Sequence, residues 1–218
     1  MRQFDFYEFT GILVPGAAAL AGVLMLVPGL MPMSAVKDFS IGGFGLLAVL
    51  AYVAGHLVQA IGNLVEWVWW KAWGGLPTDW VRKNPTCLLA EAQAAMLPKA
   101  IAEQLKLADV DIRTTSREQW YSITRQISAA VDAAGRGSRI QTLNGNYGLN
   151  RGLVAALVVV LVVALTAKSV DWAGLGGLGV AIGLALVRMH RFGRHQAREL
   201  FVQFLQLPAR EQPSEKKV

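Results

Sequence analysis

A single cysteine, Cys87, stands in the 218 residues, so no disulfide framework can hold this chain. His56, His190 and His195 are too scattered for a metal site, and no Cys/His cluster accompanies them. A Gly-rich phosphate loop, an H-E-x-x-H pair and a Gly-x-Ser-x-Gly elbow are also missing. The sequence therefore gives no positive reason to expect an enzyme, a cofactor or a resident metal. Charge is scarce as well: 17% of residues are charged against 54% hydrophobic, with a mean hydropathy of +0.39. That balance excludes an ordinary soluble domain and points to a membrane protein. With no convincing strand alternation and no strong internal repeat, the expected class is all-α.

What the chain does have is apolar runs. A hydrocarbon core of about 30 Å needs about 20 residues of helix. Four runs approach or exceed that length: 10–31, 41–69, 149–166 and 172–187. They read as two transmembrane hairpins, four spans in all, joined by a small cytoplasmic helical segment. The last two runs are near the minimum, and a re-entrant hairpin competes for them. Trp172 with Arg188 and Arg191 as interfacial anchors favours spanning. The opening MRQFDFYEF carries Asp5 and Glu8 beside Arg2, which argues against a cleaved signal. The expected divisions are 1–70 for the first hairpin, 71–148 for the cytoplasmic segment, 149–187 for the second hairpin, and 188–218 for a basic amphipathic helix with a disordered tail.

Basic residues set the orientation, because Lys and Arg near membrane ends stay in the cytoplasm. Of the 21, only Lys37 and Lys168 fall in the two short turns. Both termini and the 71–148 segment are therefore expected inside, in a bacterial inner membrane. The net charge of +6 follows from this topology and from anionic headgroups, without nucleic acid. Arg188, Arg191, Arg194 and Arg198 are the expected lipid-surface residues.

Within 71–148, Thr86 is expected to cap a helix through Ala95, with Pro98 opening another. Ser116 and Gln119 form a capping-box pattern ahead of Trp120, Ile123, Ile127 and Val131, which predicts an amphipathic helix over 116–134. The cluster Trp69, Trp70, Trp73 and Trp80 suits the headgroup level.

The most informative pattern is a polar row in the second run, His56, Gln59, Asn63 and Glu66, spaced to share one helix face, with Tyr52 one turn earlier. Polar groups at membrane depth face protein or water. One reading is interhelical hydrogen bonding; the other is a pore lining or ion path. Asn150 and Arg151, at the start of the third run, sit at the depth of Glu66, and a contact there would join the two hairpins. Small residues four apart, Ala18 with Gly22, Ala51 with Gly55 and Gly179 with Gly183, let helices approach closely, within one chain or between copies.

With FYEFTGILVPG at 6–16, a long second run ending in an acid and tryptophans, and NYGLNRG at 146–152, the chain resembles small uncharacterised bacterial four-span inner-membrane proteins. In layout alone it resembles four-span membrane effectors of anti-phage systems. That resemblance implies a membrane-disrupting defence effector, and the leading expectation is an oligomeric inner-membrane protein that forms or gates a permeation pathway, with the cytoplasmic helices sensing or assembling. It transfers no residue role. The alternative is a non-conducting anchor or adaptor for a soluble cytoplasmic partner.

The topology is directly testable. Reporters fused after Ser138 and at the C-terminus are expected to read cytoplasmic, and a tag placed between Ser34 and Ser40 periplasmic. A periplasmic C-terminus would exclude the model of four spans with both termini inside.

Overall fold

The computed structural model describes residues 9–30, 41–107, 110–167 and 171–208. Of these, 86% are helical and none is in a strand. The chain enters through a π-turn, Phe9–Leu13, that passes into α1, Val14–Leu26. Pro15 stands in the first turn, where its missing N–H costs nothing. The α-helix stops at Leu26 because Pro28 follows and opens a 3₁₀ turn, Pro28–Leu30. The α-helix therefore stops five residues short of the expected end of the first apolar run, at 31.

Helix α2, Ile41–Ala72, has 32 residues, about 48 Å at the usual rise. After the short α3, Pro77–Lys83, and a 3₁₀ turn, Pro85–Cys87, helix α4 spans Glu91–Leu105. Two sequence expectations fail here. Thr86 does not cap a helix; its hydroxyl donates to Asn84 at 2.7 Å, and Gln93 instead takes the free Ala90 N–H at 3.1 Å. Nor does Pro98 start a second helix, since α4 runs through it and ends at Lys106, whose φ of 54° is left-handed. Helix α5, Arg117–Ala133, has the predicted capping box: Ser116 accepts from the Gln119 N–H at 3.2 Å and Gln119 accepts from the Ser116 N–H at 3.1 Å. Gly135, at φ 73°, follows its end.

Helix α6, Ser138–Ala167, and helix α7, Trp172–Leu205, are each continuous. Three helical stretches, Gly43–Lys83, Ser138–Ala167 and Trp172–Leu205, are long and apolar enough to cross a membrane; Gly11–Leu26 is a shorter apolar helix. The protein is membrane-associated on that ground.

The chain folds as two compact units, the first from Met1–Ala72 with Thr142–Gly193 and the second from Trp73–Gln141 with Arg194–Val218. In the first, the contacts are made by small side chains. Ala19, Val58, Ala155 and Ala156 are buried together, with Ala18 packed against them. At the α1/α2 crossing, a Cβ on Gly16 would collide with the Ala51 carbonyl and come within 2.7 Å of the Gly55 Cα. One on Gly55 would strike the Ile12 carbonyl, and one on Gly22 would strike Val160 of α6. Such backbone proximity maximises dispersion contact, which is the main source of helix adhesion in lipid. The pair in α7 behaves differently: Gly179 and Gly183 have open space where a Cβ would be. They form no seam among the described residues, because the span of α7 is only 11% buried.

The second unit is packed by large side chains. Trp120, Ile127 and Val131 of α5, Leu97 and Ile101 of α4, and Phe201 and Phe204 of α7 are all at most 1% exposed. Trp120 stacks on Phe201 at 6.0 Å and its indole donates to the Thr78 carbonyl at 2.9 Å. The described residues from Arg194 to Pro208, continuous with the rest of α7 through Leu205, group with the 73–141 helices. The physical reason is size: a segment of this length buries too little of itself, and the apolar face Ala197, Leu200, Phe201 and Phe204 completes its core. Phe201→Ala should destabilise this unit by about 3–5 kcal/mol. Hydrogen exchange on the full-length protein should then accelerate in α4 and α5. Unchanged exchange there would remove Phe201 from the core.

Candidate functional site

Helix α2 packs along Ala51, Gly55, Val58 and Gly62, all buried and spaced four, three and four apart. The predicted polar row lies to one side of this stripe and is split by it. Gln59 and Glu66 fall at the rim of the packed face and are half-buried, whereas His56, Asn63 and Tyr52 turn further out and are exposed. Four residues that share a face in sequence are thus divided by where the neighbouring helices end.

Arg151 of α6 gathers the inner pair. Its guanidinium is ion-paired with Glu66 and donates through Nη2 to Gln59 Oε1 at 2.7 Å. Gln59 in turn donates to the Gly11 carbonyl in the π-turn. The Arg151 and Glu66 side chains are 15% and 22% exposed, so water screens the pair little. Glycines make room for it. A Cβ on Gly62 would press on Arg151 Cγ at 3.4 Å, and one on Gly152 would sit 2.6 Å from Pro15 Cγ and 3.2 Å from Gln59 Nε2.

From Glu66 the network continues toward α7. The Tyr147 hydroxyl interacts with the Glu66 carboxylate and accepts from the Trp70 indole at 2.7 Å. The Trp69 indole donates to His190 Nδ1 at 3.3 Å, and the Trp70 ring lies 5.1 Å from that imidazole. Gly193 permits this approach, because a Cβ there would come within 2.8 Å of Trp70 Cζ2. Carbonyl, amide, guanidinium, carboxylate, phenol and indole thus form one chain of contacts linking the π-turn, α2 and α6, and it borders α7.

Asn150 does not take part as expected. It is 3% exposed, but its amide donates to the Asn146 carbonyl at 2.7 Å, one turn back on α6. Asn146 repeats the pattern toward Thr142 at 3.0 Å. Adjacent residues on a helix diverge by about 100°, so Arg151 and Asn150 cannot both face Glu66. The four arginines of α7 are all exposed: Arg188 lies over Phe192 at 5.5 Å and Arg194 over Trp80 at 6.0 Å. Among the described residues, no group of three His, Cys, Asp or Glu side chains converges as a metal site.

Sequence reasoning did not find the Trp70–Tyr147 bond or the reach of Gln59 to Gly11. The tryptophans looked like membrane-surface anchors, and a backbone acceptor in a π-turn leaves no mark in composition. The small residue at Gly193 was the available signal.

No protein family, curated protein or solved structure matches the chain.

The ion pair carries a clear energetic expectation. Removing one partner of a desolvated pair strands the other, at about 3–5 kcal/mol. Glu66→Gln or Arg151→Met alone should therefore lower thermal stability in detergent markedly. The double substitution should recover much of the loss, and additive losses would show that the two side chains are energetically independent.

Proposed function

We propose that this chain is a non-conducting, multi-pass membrane anchor that holds its second unit in the cytoplasm as a helical platform for a soluble partner. The observation that carries this reading is the commitment of Gln59 and Glu66 to Arg151 within one chain. A permeation path needs such groups free to replace part of an ion's hydration shell. Here they serve as adhesive between helices.

The anchor is read as two hairpins, four crossings in all, with both termini inside. The π-turn and α1 together contribute 18 helical residues, about 27 Å at the α-helical rise, which approaches the thickness of a hydrocarbon core. The distribution of basic residues supports the orientation, and the exposed Arg188, Arg191, Arg194 and Arg198 suit contact with anionic headgroups. On the platform, an open groove of about 460 Å³ runs beside α5. Its polar lining includes Asp111, Thr115, Gln119, Ser122 and Gln126, suited to a polar segment of a partner protein.

A second reading keeps one specific support. His56 and Asn63 remain exposed on a helix otherwise lined outward by apolar residues. Several copies turning that row inward would give a polar axis, as an oligomeric permeation pathway or a membrane-disrupting defence effector requires.

Planar-bilayer recording of the purified full-length protein separates the two. The anchor reading expects no conductance, a stability loss for Glu66→Gln, and capture of a soluble protein that is lost when the exposed groove residues Gln119 and Gln126 are both changed to Lys. Currents whose ion selectivity changes with Glu66→Gln would replace the anchor with the permeation reading.

A further inference from the structure

Helix α2 exposes two longitudinal strips that differ in chemistry. One carries Leu46, Leu50, Leu57, Ile61, Leu64 and Val68 and is apolar throughout, as lipid contact requires. The other carries Val49, Val53, His56, Ala60, Asn63 and Trp67, all of them exposed. These six recur at steps of four, three, four, three and four, and at 100° per residue they fall within an arc of about 80°. That is the a/d spacing of a left-handed coiled-coil seam, with His56 and Asn63 at equivalent heptad positions.

Depth makes the second strip unsuited to lipid. Trp67 begins the tryptophan-rich end of α2, which suits the headgroup level. Eleven residues back, at about 16 Å, His56 reaches the midplane of an about 30 Å core. Among the described residues neither His56 nor Asn63 has a side-chain hydrogen bond; the contact of His56 is edge-on to Tyr52 of its own helix, with ring centroids 4.7 Å apart. Polar side chains at such depth face protein or a water-filled cavity.

We propose that the Val49–Trp67 strip is the dry seam of a parallel homodimer, in which His56 and Asn63 of one copy meet those of a second across a two-fold axis along the membrane normal. Copies inserted in the same orientation are related by such an axis, which brings each residue beside its own counterpart. Both side chains suit self-pairing, because an amide and a neutral imidazole each offer a donor and an acceptor. Valine, alanine and tryptophan between them supply packing, and the two polar positions fix the register and limit the assembly to two chains. The inference goes beyond the anchor reading, which requires no second copy.

The test uses the full-length chain in membranes, in a Cys87→Ser background, with one cysteine introduced at a time. Val49→Cys and Ala60→Cys leave the polar pair intact and sit on the seam; Leu57→Cys and Leu64→Cys sit on the apolar strip. Oxidative cross-linking to dimer is expected at least tenfold faster at the seam positions. Equal rates at the two strips, or a monomeric mass in lipid nanodiscs at every concentration, would overturn the proposal. His56→Leu and Asn63→Leu should each weaken self-association roughly fivefold, corresponding to on the order of 1 kcal/mol per interhelical polar contact. Association unchanged by both substitutions would also overturn it. So would rapid reaction of Ala60→Cys with a membrane-impermeant thiol reagent, which would show a water-lined bore between copies.

Discussion

An arginine on an apolar helix has to meet its counter-charge inside the protein, and the first unit is arranged around that requirement. Arg151 reaches Glu66 and Gln59 on α2 because Gly62 leaves room for its side chain, and Gln59 passes the constraint on to the Gly11 carbonyl. Each link depends on the one before. Without the guanidinium, Glu66 would keep its charge with little water around it, and Gln59 would lose an acceptor's partner on the side facing α6. The cost of stranding a buried charge exceeds the worth of any single packing contact here. The network therefore fixes which faces of α2 and α6 meet.

The two units solve the packing problem in opposite ways. The first brings backbones together over glycine and alanine, because lipid tails compete equally well for larger apolar groups and only close fit and hydrogen bonding distinguish protein from solvent. The second buries Trp120, Phe201, Phe204 and several Leu and Ile side chains, as a core assembled against water does. Helices α6 and α7 each contribute to both units. Helix α6 therefore changes its packing chemistry along its length, from Ala155 and Ala156 in its apolar part to Ile140 in the second core.

This division bears on the function. The groups most suited to line a path are spent on holding helices together, which supports an anchor, while the polar groups left exposed on α2 support contact with a second copy. One row of residues thereby supports two proposals, its inner and outer pairs separated by about 60° of helix rotation.

The sequence by itself determined the membrane class, the all-helical fold, the capped helix beginning after Ser116, and the pairing in depth of Arg151 with Glu66. These follow from hydropathy, periodicity and spacing along one chain, which are local properties. The number of crossings was less legible, because Pro28 shortens α1 and length alone decides little near the limit. Only the tertiary structure decided that Gln59 and Glu66 turn inward while His56 and Asn63 do not, and that Asn150 bonds its own helix. It also assigned the turns after Gly193 to the second core and left Gly179 and Gly183 without a neighbour among the described residues. A helical face is continuous over about 100°, and the position of its boundary is set by the helices packed against it, information that no single segment contains.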